Sequence, residues 1–161
     1  MALYALGDLH LSFQADKPMD VFGKAWRNHE KRIEKNCNKM LTDEDTLVGT
    51  KGYCYEGKDT IEHAEMLIER EAKRLKVSFE AARADGFEKF IVFLHYPPTS
   101  LWEKKSRFTL MTEAYEADQL IYAHCHGKER FHDSLMGTIN GVKYSLVSGD
   151  YLEFKPQKIL D

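Results

Sequence analysis

Apolar and polar positions follow two patterns in this chain, one typical of strands and one of helices. Short continuous apolar runs are typical of strands buried in a parallel sheet, and they cover residues 2–6, 46–48, 89–94 and 119–123. Longer segments repeat apolar residues every three or four positions, and they predict helices over 21–40, 59–86 and 110–117. Because strands and helices alternate, the pattern predicts a single α/β domain over residues 1–161.

Two local signals predict element boundaries. Asp59 followed by Glu62 resembles a capping box that opens the long helix, and Gly86 is a plausible stop for it. The two-residue Asn140-Gly141 step lies between apolar runs at 135–139 and 142–147. Asn-Gly favours a tight hairpin turn, so the chain is predicted to end in a hairpin.

Composition excludes several classes of protein. Hydrophobic residues make up 43% and charged residues 30%, which is a globular mixture rather than a disordered one. The net charge is −3, so no overall basic field attracts nucleic acid. One basic patch, Lys104, Lys105 and Arg107 beside Trp102 and Phe108, offers a nucleic-acid interpretation, but a solvated loop around an aromatic anchor is the simpler explanation.

The beginning of the sequence and its cysteines predict a cytoplasmic protein. The apolar start lacks a basic leader and meets Asp8 before it is long enough to span a bilayer. Cys37, Cys54 and Cys125 form an odd count without the spacing of a disulfide framework. We therefore expect reduced thiols and no membrane insertion.

Five residues at three strand ends form a candidate metal site. They are Asp8, His10, His95, His124 and His126. A single histidine at a strand end is more often a hydrogen-bonded structural residue, but loops converge at the carboxyl ends of parallel strands, and the joint arrangement favours a site. Mixed imidazole and carboxylate ligands suit a divalent transition metal, namely Mn, Fe or Zn.

The same residues resemble the motifs of the calcineurin-like metallophosphoesterases. Gly7-Asp8-Leu9-His10 resembles their opening D-x-H, and His95-Tyr96-Pro97-Pro98 resembles their isolated histidine after a core strand. Ala123-His124-Cys125-His126 is similar to their closing G-H-x-H, with Ala123 in place of the usual glycine. The resemblance extends to a bacterial branch of predicted phosphohydrolases, whose sequences are similar to Asp16-Lys17-Pro18-Met19-Asp20 and to the final Tyr151-Leu152-x-Phe154-Lys155-Pro156.

This resemblance implies a fold, an activity and roles for the five residues. The fold would be a shortened sandwich of mixed β-sheets flanked by helices. The activity would be hydrolysis of phosphate mono- or diesters by a metal-activated hydroxide, with a phosphorylated small molecule or a phosphodiester as substrate. Asp8, His10 and His126 would hold one metal, whereas His95 and His124 would hold a second and act in catalysis.

Two motifs of the family are missing from the middle of the chain. The G-D-x-x-D and G-N-H-[DE] segments would stand between D-x-H and the isolated histidine, but the sequence passes directly from Val48 to Gly49. The apparent deletion leaves one plausible metal site and one weakened site. Two local imitations do not replace them: residues 27–30 lie inside the first predicted helix with His29 on its apolar stripe, and Gly149-Asp150 follows the last predicted strand.

The missing segment leaves an alternative open. The chain could be a catalytically weakened or inactive relative that acts as a metal-binding or interaction scaffold. Loss of interior strands would expose sheet edges, and a homodimer would cover them.

Overall fold

The computed structural model describes residues 3–7, 19, 23–40, 46–47, 53–54, 56–100 and 103–160. The part of the chain that it describes contains seven strands and four α-helices, which alternate from β1 to β5 and agree with the predicted α/β class. In chain order they are β1 (Leu3–Ala5), α1 (His29–Met40), β2 (Thr46–Leu47), α2 (Ile61–Ala84), β3 (Ile91–Leu94), α3 (Arg107–Ala114), β4 (Gln119–Tyr122), α4 (Lys128–His132), β5 (Gly137–Ile139), β6 (Val142–Leu146) and β7 (Gln157–Leu160).

The larger sheet brings three carboxyl ends to one edge. Its order is β3-β4-β6-β5, in which β3, β4 and β6 run parallel and β5 is antiparallel to β6. Leu94, Tyr122 and Leu146, the last residues of the three parallel strands, are register partners across the sheet. Whatever follows these residues in sequence therefore emerges side by side.

The smaller sheet joins the same edge. Its order is β2-β1-β7, with β1 parallel to β2 and antiparallel to β7. Beyond β1, Gly7 forms a parallel bridge with Ser148, and its backbone N–H donates to the carbonyl of Val147 over 2.9 Å. The continuation of β1 is thereby attached to the segment that follows β6.

The core occupies both faces of the larger sheet because successive side chains of a strand point in opposite directions. Val92, Leu94, Leu120 and Tyr122 pack in one buried cluster with residues of α2 and α3. The opposite face carries Ile91, Phe93, Ile121 and Ala123, which pack with Ala5 of β1 and Ile159 of β7. Helices therefore cover one face, and the smaller sheet covers the other.

The strand and hairpin predictions are confirmed where the structure describes them, although the observed strands are shorter. Asn140 and Gly141 have φ angles of 49° and 85°, the left-handed conformation that a two-residue hairpin turn requires. The hairpin is not the end of the fold, however, because β7 returns to pair with β1. Neither β7 nor the short helix α4 was predicted, since neither has a repeating apolar pattern long enough to stand out.

The prediction of a continuous first helix over 21–40 was wrong at its beginning. Lys24–Trp26 forms a 3-10 helix, and α1 begins only at His29. Arg27 is extended and Asn28 has a φ of 49°, so the two residues break the helical path. Asparagine tolerates this conformation because its short polar side chain can hydrogen-bond locally. Residues 21 and 22 lie outside the described part.

The predicted capping box at the start of α2 was also wrong. Thr60 is the N-cap, and its hydroxyl oxygen accepts a hydrogen bond from the His63 backbone N–H over 3.2 Å. Asp59 lies one position earlier and contacts the His63 ring, with 2.7 Å between Oδ2 and Nδ1. Ile61 is exposed, so the buried stripe of α2 begins at Ala64.

Replacement of Thr60 by alanine is expected to lower the free energy of unfolding by about 1 kcal/mol, because one backbone N–H of the first turn loses its acceptor. Urea unfolding of Thr60→Ala measures the change. Thr60→Ser is the matched control, since it keeps the hydroxyl. An equal loss in the two variants would contradict the capping role.

No helix among the described residues combines the length and the apolar character that a membrane crossing requires.

Candidate functional site

His95 and His124 meet at the carboxyl ends of two adjacent strands. His95 follows β3 directly, and its carbonyl accepts a hydrogen bond from Ala123 N–H over 3.1 Å, which extends the pairing beyond β4. His124 then turns with a φ of 66°, a left-handed conformation that histidine adopts more readily than most residues. As a result, His124 Nδ1 lies 3.1 Å from His95 Nε2.

A carboxylate lies on the other side of the His124 ring. Glu56 Oε1 is 3.2 Å from His124 Nε2 and 3.0 Å from a guanidinium nitrogen of Arg130. Tyr96 packs against the same imidazole, with ring centroids 4.1 Å apart. Glu56 was not predicted, because a lone glutamate in a glycine-rich segment has no spacing that would relate it to the histidines.

His126 contacts a different carboxylate. Its Nδ1 lies 2.8 Å from Asp150 Oδ1, and the second Asp150 oxygen accepts from Gly127 N–H over 3.1 Å. The Asp150 side chain is only 5% exposed. Trp26 packs edge-on against the His126 ring with centroids 5.1 Å apart. Gly149-Asp150 was predicted to follow the last strand, whereas it lies between β6 and β7 and belongs to the candidate site.

The five predicted residues therefore have three different outcomes. His95 and His124 come together, and His126 is beside Asp150 and Trp26. Asp8 and His10 lie outside the described residues, although Gly7, immediately before them, is attached beside the end of β6. Within the described ranges, no group of three or more His, Cys, Asp or Glu side chains is arranged to hold a metal ion.

His29, the histidine of the G-N-H-E imitation, has a structural environment. It is buried at the start of α1, where its Nδ1 lies 3.1 Å from the Trp26 carbonyl oxygen. Its ring packs against Trp26 and Phe154. Arg27 and Asn28 precede the helix rather than lie inside it, as was predicted.

The thiols near the site are not poised as nucleophiles. All three cysteines are free, and Cys54 and Cys125 are buried. Burial raises the pKa of the Cys54 thiol to about 12 and also raises the pKa of Cys125. Because the thiolate is the reactive form, neither side chain is activated at neutral pH.

Phe108, the aromatic residue of the basic patch that the structure describes, is buried. Arg107 begins α3, and Phe108 is only 1% exposed within the helical core. A buried ring cannot stack on a base, which agrees with the interpretation of Phe108 as an anchor. Trp102 lies outside the described residues.

A cavity lies near the two histidines and is separated from His124 by the rings of Tyr53 and Tyr96. Its volume is about 320 Å³, and Tyr53, Cys54, Pro98 and Phe108 are among the residues that line it between α2 and α3. The Tyr53 ring packs on Tyr96 with centroids 5.3 Å apart, and Tyr96 in turn packs on His124.

Comparisons with protein-family models, curated proteins and solved structures find no match to this chain. The resemblance to the calcineurin-like metallophosphoesterases therefore rests on the motifs in the sequence.

Proposed function

We propose that this chain is a metal-dependent phosphoesterase that hydrolyses phosphate mono- or diesters. The proposal includes the fold, a shortened metallophosphoesterase-like sandwich, which the core between the two sheets supports. One observation carries the proposal. Two imidazole nitrogens from neighbouring parallel strands face each other over 3.1 Å at the edge where α/β proteins bind ligands.

The chemistry of these side chains fits a divalent transition metal. Two nitrogens bound to one metal at the usual distance of about 2.0–2.1 Å are about 2.8–3.4 Å apart when the angle at the metal lies between a right angle and a tetrahedral angle. The separation of 3.1 Å between His95 Nε2 and His124 Nδ1 is within this range. His126 also supports a metal site. Metal-binding histidines commonly donate the N–H of their other ring nitrogen to a carboxylate, and His126 Nδ1 contacts the carboxylate of Asp150.

The residues would divide into two sets in this proposal. His95 and His124 would hold one metal, and His126 would hold the other together with Asp8 and His10. A divalent Mn, Fe or Zn ion in such a site activates water and neutralises charge on the phosphoryl oxygens.

The protein side chains would supply orientation and proton positions. The ring of Tyr96 restrains the His124 imidazole from its flank. His95 Nε2 and His124 Nδ1 are close enough to share one proton. The neighbouring cavity would take the organic group of the ester, with aromatic and aliphatic side chains forming part of its wall.

Metal analysis and turnover test the proposal on the same protein. We expect bound Mn, Fe or Zn and hydrolysis of bis-p-nitrophenyl phosphate or p-nitrophenyl phosphate. A side chain that transfers a proton or binds the metal contributes about 100-fold or more to the reaction rate, so His124→Ala should reduce turnover by at least that factor. His132→Ala is the matched control, because His132 is an exposed histidine of α4.

The outcomes separate the two candidate functions. Metal binding without turnover in Mn, Zn or Fe would favour the alternative, a metal-binding or interaction scaffold. If the protein shows no bound metal and no turnover, the proposal is contradicted. Equal activity in the His124→Ala and His132→Ala proteins would contradict it as well.

The proposal extends to location and assembly. We propose a cytoplasmic homodimer, in which a second copy covers an exposed sheet edge. β7 is an edge strand of the smaller sheet, and the side chain of Leu160 on it is exposed. Light scattering on a sizing column measures the assembly, since the monomer mass is 18.7 kDa.

A further inference from the structure

We infer that Glu56 is a positioning residue that sets the tautomer of His124, so that Nδ1 is the nitrogen presented to His95 and to a metal. The inference rests on the proposed function only in its metal-binding part. A chain of contacts, Arg130–Glu56–His124–His95, joins side chains from three separate parts of the sequence.

An ionised Glu56 carboxylate has no proton to donate, so it can act only as a hydrogen-bond acceptor, and its Oε1 lies 3.0 Å from a guanidinium nitrogen of Arg130. Its Oε1 lies 3.2 Å from His124 Nε2, so the ring must carry its proton on Nε2 to make this contact favourable. In the neutral imidazole, Nδ1 is then the unprotonated nitrogen. Glu56 thus leaves the lone pair of Nδ1 directed at His95.

The proton on His95 follows from the same geometry. With an unprotonated His124 Nδ1 only 3.1 Å away, His95 Nε2 must donate a proton when no cation lies between the two rings. A metal bound by both nitrogens requires both lone pairs, so His95 must then carry its proton on Nδ1. Metal binding should therefore change the tautomer of His95 and leave that of His124 unchanged.

Asp150, the second carboxylate of the site, contacts the other type of ring nitrogen. Asp150 contacts His126 through Nδ1, whereas Glu56 contacts His124 through Nε2. The two histidines of the H-x-H motif are therefore prepared to use different nitrogens, Nδ1 in His124 and Nε2 in His126. A carboxylate bonded to the other nitrogen of each ring explains how His124 and His126, in one short loop, could bind metal ions at different positions.

A simpler role for Glu56 would be that of a partner for Arg130 alone, and two variants distinguish these roles. Glu56→Ala removes the acceptor, while Arg130→Ala keeps Glu56 and removes its ion-pair partner, together with the 3.9 Å contact of that guanidinium with Cys125 Sγ. Glu56→Gln keeps an oxygen that accepts from Nε2–H, so it serves as the conservative rescue and as a second variant if Glu56→Ala does not fold.

The first measurement uses metal-free protein at pH 8, where unperturbed histidines are neutral. Long-range proton–nitrogen NMR spectra of the rings identify which nitrogen carries the proton. We expect His124 to be protonated on Nε2 in the wild type, in Glu56→Gln and in Arg130→Ala, and to populate both tautomers in Glu56→Ala. An unchanged His124 tautomer in Glu56→Ala, or a wild-type ring protonated on Nδ1, would overturn the inference.

The second measurement is the dissociation constant of Zn²⁺ or Co²⁺ by chelator competition, with the Co²⁺ absorption spectrum as the signature of the ligand set. Loss of an orienting carboxylate commonly weakens metal binding by 10- to 100-fold, and we expect this in Glu56→Ala with a smaller loss in Glu56→Gln. If the wild type binds no metal but the NMR result holds, the proposed function fails and the positioning role stands. If the wild type does bind metal, equal affinity in the wild type and Glu56→Ala overturns the part of the inference in which Glu56 prepares Nδ1 for a metal.

Discussion

Replacement of Phe154 by alanine is expected to lower the free energy of unfolding by about 3–5 kcal/mol. The Phe154 side chain is fully buried, at 0% exposure, in a cluster with Trp26 and Ile33. Its ring lies 5.3 Å from the Trp26 ring and 5.6 Å from the His29 ring, centroid to centroid. Removing an aromatic side chain from such a site loses its burial and leaves a cavity that the neighbours fill only in part.

Phe154 lies where the turn after β6 meets α1. Phe154 N–H donates to the Gly149 carbonyl over 2.7 Å, and its own carbonyl accepts from Asn36 Nδ2 of α1 over 2.7 Å. These hydrogen bonds of the Phe154 backbone join the turn after β6 to α1, and the Phe154 ring packs at this junction. Trp26 contacts both Phe154 and His126, so the same cluster supports one wall of the candidate site.

Phe87→Ala is the matched control for Phe154→Ala. Phe87 is 62% exposed, and the same chemical change there should alter the free energy of unfolding by less than about 0.5 kcal/mol. Urea unfolding with a common slope compares the two variants. A loss in Phe154→Ala within 1 kcal/mol of the control would contradict the anchoring role of the ring.

Replacement of Gly7 by alanine is expected to cost about 1–3 kcal/mol of unfolding free energy through overpacking. A Cβ added to Gly7 would lie 2.4 Å from the Cβ of Ala123, far inside van der Waals contact. Neither backbone can withdraw easily, because Gly7 N–H donates to the Val147 carbonyl and Ala123 N–H donates to the His95 carbonyl. The two strands meet here immediately before Asp8 and His124.

A double-mutant cycle with Ala123→Gly isolates this contact. Ala123→Gly alone should destabilise by a smaller amount, because it loses a buried methyl group and frees the unfolded backbone. In the double variant the space vacated at residue 123 accepts the new methyl group at residue 7. We expect a favourable coupling of about 0.5–3 kcal/mol between the two changes, whereas additive costs would rule out the clash as the cause.

Ala123 is a departure from the G-H-x-H motif, and the packing around it explains why an alanine fits there. The resemblance places a glycine where this chain has Ala123. In the structure, the close approach leaves room for one methyl group between residues 7 and 123, and this chain places it on residue 123. The departure from the motif is therefore compatible with the packing because residue 7 is glycine.

Much of the fold could be predicted from local patterns in the sequence. The continuous apolar runs identified β3 and β4, and Asn140-Gly141 identified the hairpin of β5 and β6. The spacing of apolar residues did not predict where α1 and α2 begin. Asn28 interrupts a segment whose apolar spacing is helical, and Thr60 rather than Asp59 caps α2, because side-chain hydrogen bonds at helix ends depend on backbone angles that spacing does not encode.

The candidate site could be predicted only in its strand-end residues. His95 and His124 were identified because parallel strands bring their carboxyl ends together, and the rings are indeed in contact across 29 residues of sequence. Gly149-Asp150 imitates the first two residues of G-D-x-x-D and was not predicted to belong to the site, whereas Asp150 contacts His126 in the structure. Glu56 had no recognisable motif at all.

The order of elements, the candidate histidines and the apolar faces were already present in the sequence, because periodicity and strand ends are properties of neighbouring residues. The carboxylates behind the histidines came from the tertiary structure. Asp150 reaches His126 across 24 residues, and Arg130 reaches Glu56 across 74. Such contacts depend on how β1 and β6 join and how the loops fold back over the sheet edge. No local spacing records that geometry, and it is the geometry that orients each imidazole.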